Sequence, residues 1–278
     1  MDQKGKGNPP QTKSIVDEKP YTKKRKDDNT WHPYMCGSTM NRYSNTWLFD
    51  GTYIKYGEWL AEPRYIPGEK IIIRQTADSL IATIDNEGVN NNTLHSITSK
   101  NNTNVSLKYL LGLLNSVILN WYFKRENFLE DGKTLAEVKG AHVKLLPIAI
   151  GNTDQIRTVE KKVSSMLGLC KERVDVRYRI IHYIVTRYVP KAVSNRLYYL
   201  EESSYDVWIR ELKKQGSKVS VKEEIDLLEL YEETVKKIVD LNHRIETTGN
   251  QLNSEIFSIY GLSNEAIKRI ESETSIKY

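Results

Sequence analysis

Apolar and polar positions change their spacing several times along the chain. Residues 1–30 are polar, carry Pro9, Pro10 and Pro20, and include the basic run Lys23-Lys24-Arg25-Lys26. So little apolar surface cannot offset the entropy of ordering, and a basic, Pro-containing linker or arm is expected there. From Trp31 the stretches TWLFDGTYIKYGEWL and EKIIIRQTADSLIATID are rich in aromatic and β-branched residues, broken by Gly51, Gly57, Pro63, Pro67 and Gly68. They read as short strands with turns. Lys70-Ile71-Ile72-Ile73-Arg74 is apolar on both faces, as an interior strand would be, with Leu80-Ile81-Ala82-Thr83-Ile84 as its neighbour.

The period then becomes helical. In NVSLKYLLGLLNSVILNWYFKRE the residues Leu107, Leu110, Leu111, Leu114, Ile118, Trp121 and Tyr122 form one stripe, with Ser106 or Asn104 placed to cap it. The spacing predicts one helix packed on the sheet. Ala136-Glu137-Val138-Lys139-Gly140 and Val143-Lys144-Leu145-Leu146-Pro147-Ile148 return to strand composition, and a second helix is expected from about Thr153. Beyond residue 165 the pattern is helical. Ile180, Ile181, Ile184, Val185 and Tyr188 form a stripe ended by Pro190, and Leu252, Ile256 and Ile259 lead to a stop at Gly261. Between them Val221, Ile225, Leu228, Tyr231, Val235, Ile238, Leu241 and Ile245 make a continuous seam that predicts a long helix with a partner. The expected fold class is α+β: a linker over 1–30, a mixed sheet-and-helix domain over 31–165, and a helical region over 166–278.

Composition adds modest constraints. With 278 residues, of which 39% are hydrophobic, the chain can build real cores. A formal charge of +5 and a pI near 8.9 suit a polyanionic partner without requiring one. No apolar run reaches the roughly 20 residues of a membrane span, and the polar, lysine-rich start is unlike a signal peptide, so a soluble cytoplasmic protein with no membrane partner is expected. Cys36 and Cys170 lie far apart with no second ligand at metal spacing, which signals neither a disulfide framework nor zinc. The Asn-x-Thr triplets at Asn91 and Asn101 are then chance sequons.

Two enzymatic readings can be weighed on their residues. Asn8-Pro9-Pro10-Gln11 is one residue short of the Asn/Asp-Pro-Pro-aromatic tetrapeptide with which amino-group DNA methyltransferases hold a flipped base. Only seven residues precede it, too few for a cofactor-binding βαβ unit. Glu137-Val138-Lys139 fits the Glu-x-Lys half of a restriction nuclease pattern, with Asp131 upstream as a metal carboxylate. No Pro-Asp precedes it, and a strand that offers Lys139 to a phosphate accounts for it better. The five histidines are scattered, and no nucleophile motif accompanies them. A binding inventory is richer: Arg42, Lys55, Tyr56, Arg64, Lys70, Arg74 and Gln75, with Asn90, Asn91 and Asn92 in a loop. Arg and Lys donate to phosphates or guanine, and Asn or Gln pairs both ways with adenine. Ordinary solvated loops carry the same residues.

The blocks GKGNPPQTK, TWHPYMCGSTMNRY, YIKYGEWLAEPR, EKIIIRQTADSLIATID with NNTLHSI, SLKYLLGLLNSVILNWYF, AEVKGAHVKLLPI and EIFSIYGLSNEAIKRIE occur in that order. Together they resemble the TaqI-like C-terminal specificity domain, the target-recognition part of type IIG restriction-modification enzymes and related adenine-specific DNA methyltransferases. The similarity runs from about residue 4 to 272 and is weakest over 171–200. It places Pro9 and Pro10 in the family's linker. It implies a non-catalytic module for sequence-specific recognition of double-stranded DNA, partnered by a methyltransferase or nuclease domain. S-adenosylmethionine and Mg²⁺ would serve those catalytic domains, none of which is expected in these residues, and no cofactor is expected here.

The resemblance further implies an α/β recognition domain followed by helices that act as spacers and docking surfaces. Arg74 and Lys139, each at a strand end within a similar block, are the expected phosphate contacts. Arg42, Lys55, Tyr56, Arg64, Gln75, Asn91 and Asn92 complete the expected DNA-binding set. Trp59 and Trp121 are assigned to packing. The family often has a Gly-Lys-Asp-Ile-like ending before Asn-Arg-Tyr, whereas Gly37-Ser38-Thr39-Met40 precedes Asn41-Arg42-Tyr43 here, so a lysine contributed at that point has no counterpart. The alternative function is a helical adaptor that docks a methyltransferase or nuclease through the 221–245 helix.

Overall fold

The computed structural model describes residue 18 and residues 20–55, 68–99, 105–126 and 137–278. It is α+β, with helix outweighing strand. The chain divides into two units, one of residues 1–167 with 248–278 and the other of residues 168–247. No helix of the described residues is long and apolar enough to cross a membrane.

In the first unit, β1 (Thr22–Lys23), β2 (Trp31–Met35), β5 (Tyr53–Lys55) and β8 (Val89–Asn90) form a sheet of order β1-β5-β2-β8, in which only β2 and β8 run parallel. A hairpin of β3 (Met40–Asn41) and β4 (Ser44–Asn45) follows β2, and α1 (Trp47–Asp50) leads back to β5. A second sheet places β6 (Lys70–Arg74) between β7 (Ala82–Asp85) and β9 (Leu94–Ile97), both antiparallel to it. The expected interior strand is therefore central. Ile72 packs with Met35, Met40 and Leu94 on one face. The basic run of the N-terminal segment is mostly paired: Lys23 and Arg25 with Asp27, Lys24 with Asp50.

Lys70 belongs to the interior. Its Nζ lies 2.7 Å from Asp85 Oδ2 and donates to the carbonyls of Gly88 and Gly68, which uses all three ammonium donors in a site with almost no exposure. Gly88 donates back to the Asp85 carboxylate, and a Cβ there would stand 2.4 Å from Met35 Cγ, so only glycine closes this turn.

The stripe expected to form one helix is split into α2 (Leu107–Leu114) and α3 (Val117–Arg125). Ser106 caps α2 as its spacing suggests, accepting from Tyr109 N, and Ser116 caps α3 by accepting from Leu119 N. Short polar side chains compete for nearby backbone groups, and here that competition ends one helix and starts another. The break releases two amides to the sheet. Asn115 Oδ1 accepts from Ala82 N at 3.0 Å while its Nδ2 donates to Ala82 O at 2.9 Å, and Asn120 Oδ1 accepts from Leu80 N at 2.8 Å. β7 is an edge strand, and these fully buried side chains take the outward backbone groups of its first residue, Ala82, and of Leu80 just before it.

Of residues 143–148, expected as a strand, Val143 ends one helical turn, α4 (Gly140–Val143), and residues 144–148 follow it without forming a strand. Tyrosines take the backbone groups that a neighbouring strand would have used. Tyr260 donates to Pro147 O, and Tyr109 donates to Ala149 O while accepting from Gly151 N. The helix expected from Thr153 is α5 (Thr153–Tyr188), which runs on without a break into the stripe of Ile180 to Tyr188. Val159 and Val163 come so close to Gly112 of α2 that a Cβ there would meet them at 3.0 and 2.9 Å. The end of α8 (Val221–Ile259) and α9 (Asn264–Glu273) complete the unit, with Gly261 left-handed at the stop the sequence suggests.

The second unit is helical: residues 168–188 of α5, α6 (Asn195–Tyr198), α7 (Tyr205–Lys214) and residues 221–247 of α8. Trp208 is wholly buried beside Tyr205 and Tyr231, and its indole donates to Leu197 O. Arg177 pairs with Glu201 under the rings of Tyr198 and Tyr199. Of the long seam, Tyr231, Ile238, Leu241 and Ile245 are buried, whereas Val221 and Ile225 are 79% and 67% exposed.

Two outcomes follow from this packing. Asn115→Ala should lower the unfolding free energy by about 2–3 kcal/mol, because it strands Ala82 N–H in the interior. Asn115→Asp, which can accept but not donate, should do no better; chemical denaturation measures both, and a loss below about 0.5 kcal/mol would contradict the docking role. Cys170 is buried, and burial pushes its thiol up to about 11, whereas Cys36 is partly exposed. Near about pH 8, Ellman's reagent should therefore modify one thiol of the native chain and the second only after denaturation. Two rapidly reacting thiols would contradict this core.

Candidate nucleic-acid interface

β6 alternates its side chains across the sheet, so Arg74 lies on the same face as Ile72, two residues beyond the apolar cluster. It is partly exposed, and among the described residues its guanidinium has no ion pair or hydrogen bond. The chain continues past β6 into an irregular junction. Gln75 N donates to Thr93 O at 2.9 Å, Val138 N donates to Gln75 O at 2.7 Å, and Thr76 bridges Glu137. Three segments distant in sequence, 74–76, 91–93 and 137–139, therefore meet at one end of the three-stranded sheet.

Side chains fix each segment. Asn91 Oδ1 accepts from Thr93 N at 2.9 Å, and Thr93 Oγ1 accepts from Gly37 N at 2.8 Å, which ties the loop to the turn after β2. His95 Nε2 lies 2.8 Å from Val138 O. A carbonyl only accepts, so this nitrogen carries the proton. Gln75 Nε2 donates to Glu137 Oε1 at 2.6 Å. Lys139 is partly exposed at the N-terminal boundary of α4.

Five of the expected DNA-binding residues, Arg74, Gln75, Asn91, Asn92 and Lys139, are thus brought together. Lys55 is exposed but pairs with Trp31, at the end of β2 remote from Asn90 and Asn91. Arg42 is 7% exposed; its Nη1 donates to Lys277 O at 2.9 Å and its Nη2 to Asn120 Oδ1 at 3.3 Å, while burial lowers its pKa. Tyr56 and Arg64 lie outside the described residues, as do Trp59 and Asp131. Asn90 is buried with its amide on Ser96. Trp121 donates its indole N–H to Glu273 at 2.7 Å beneath the Arg125 guanidinium.

Sequence reasoning missed the supporting residues. Glu137, which the sequence offers only as half of a Glu-x-Lys pattern, holds the Gln75 amide, and Thr93 and His95 carry no sequence signal for a role at the site. For Thr93 the signal is one of local structure only. Asn91-x-Thr93, set aside as a chance sequon, is also the spacing of an asparagine that caps its own turn. Among the described residues no three His, Cys, Asp or Glu side chains gather as a metal site would require.

Residues 152–256 match a family described as Domain of unknown function (DUF8810), and residues 32–148, which contain all three meeting segments, match the TaqI-like C-terminal specificity domain. No curated protein matches the chain. Over residues 32–148 the chain is thus similar to the TaqI-like C-terminal specificity domain.

Proposed function

We propose that the chain recognises a specific sequence in double-stranded DNA, as the specificity part of a type IIG restriction-modification enzyme or an adenine-specific DNA methyltransferase in the cytoplasm. It is non-catalytic by itself. A methyltransferase or nuclease domain or subunit is its partner, and S-adenosylmethionine and Mg²⁺ act there. One observation carries this reading: within the region matching the specificity domain, the fold gathers Arg74, Gln75, Asn91, Asn92 and Lys139 from three separate segments. Two cations beside amides that can pair with base edges are what a sequence reader needs.

Arg74 serves as a phosphate contact in this reading, because it is partly exposed and no described acid neutralises it. Lys139 stands across the junction as a second one. Contacts of that kind set affinity and salt dependence rather than sequence preference. Arg74→Ala should weaken binding uniformly across duplex sequences and flatten the slope of log K against log salt by about one unit. Titration of a labelled duplex at several salt concentrations measures this. An unchanged affinity and slope would remove Arg74 from the interface, and no duplex binding by the unsubstituted chain at low salt would overturn the proposed function.

A further inference from the structure

We infer that Gln75, oriented by Glu137, is the side chain that reads an adenine in the target, an assignment that rests on the DNA-recognition reading above. A glutamine side chain can be turned either way about its last bond, presenting acceptor and donor in either order. At position 75 that freedom is removed. Glu137 Oε1 stands 2.6 Å from Gln75 Nε2, and an ionised carboxylate only accepts, so the nitrogen must face it. The carbonyl oxygen and the remaining N–H of Gln75 have no other partner among the described residues, and the side chain is partly exposed.

What remains is one acceptor and one donor in a fixed order. Adenine presents the complement in the major groove, an N6 donor beside the N7 acceptor, and glutamine pairs with both. The support under the amide is rigid. Val138 N donates to Gln75 O, His95 holds Val138 O, and Gln75 N donates to Thr93 O, so the two residues, 62 apart in sequence, are fixed through their backbones. A reading group held in this manner loses little freedom on binding. Glu137 is a positioning residue: it touches the amide and sets which way it points.

The test is selection from a randomised duplex library by the unsubstituted chain, Gln75→Ala, Glu137→Gln, and the exchange Gln75→Glu with Glu137→Gln. The unsubstituted chain should enrich a motif with adenine at one position, and Gln75→Ala should lose that preference by roughly 5- to 150-fold at that position alone, with the salt slope unchanged. Glu137→Gln, whose amide can donate as well as accept, should relax the same position without altering the slope, which a merely structural loss would not do. The exchange keeps the pair hydrogen-bonded while presenting a carboxylate, so it should shift the preference toward cytosine, whose N4 donates. Thermal unfolding of each variant separates misfolding from altered reading, and the exchange variant carries the test if Gln75→Ala does not fold. An unchanged motif in Gln75→Ala and in the exchange would overturn the inference and leave DNA recognition standing. Salt-sensitive binding with no enriched motif would overturn it too, whereas absence of duplex binding would overturn the recognition reading itself.

Discussion

Two buried asparagine amides hold the helices and sheet of the first unit together. Residues 80–82 enter the sheet as an edge, with backbone groups turned toward the helices, and Asn115 and Asn120 take them. An unpaired group there would cost about 1–3 kcal/mol, so the helical pair must break where it does in order to present both side chains. Asn120 also donates to the carbonyls of Leu114 and Ser116, and it accepts from Arg42. One residue thus ties the helix break, the edge strand and the β3–β4 turn. The docking extends to the last residues, since Arg42 donates to Lys277 O and Asn253, which accepts from Val117 N, donates to Tyr278 OH.

That constraint bears on function through the position of β6. Once β7 is fixed by the helices, β6 lies between two partners, its apolar residues are covered, and its end projects Arg74 and Gln75 beyond the core. The segments at 91–93 and 137–139 are then fastened to it by backbone hydrogen bonds rather than by side-chain affinity alone. Reading a base requires such rigidity, because a bidentate pair discriminates only if the amide cannot turn over. The acid at 137 belongs to this arrangement through its hydrogen bond to the Gln75 amide.

The elements with strong periodicity were legible in sequence. Lys70-Ile71-Ile72-Ile73-Arg74 reads as an interior strand because no face is polar, and the stop at Gly261 and the cap at Ser106 follow from local chemistry alone. The helix break at Asn115 and Ser116 was not legible, because the same residues can face solvent in an unbroken helix; a strand 33 residues away decides otherwise. Arg42 and Lys70 illustrate the same limit. A basic residue beside a turn or at a strand end reads as solvent-facing until its buried partners, Asn120 and the Lys277 carbonyl for one and Asp85 for the other, are known. The set Arg74, Gln75, Asn91, Asn92 and Lys139 was named from residue chemistry and family resemblance, yet its convergence is a property of the fold. Glu137 shows the reverse case, a conspicuous residue whose role is set by one side chain 62 positions earlier.

Amide hydrogen exchange of the whole chain, with and without a mixed-sequence DNA duplex at low salt, tests the central claim most directly. The account predicts slowed exchange in peptides covering 74–76, 91–93 and 137–139, with the helices of 168–247 unchanged. Protection confined to 168–247, with the sheet end exchanging as in the free chain, would contradict it.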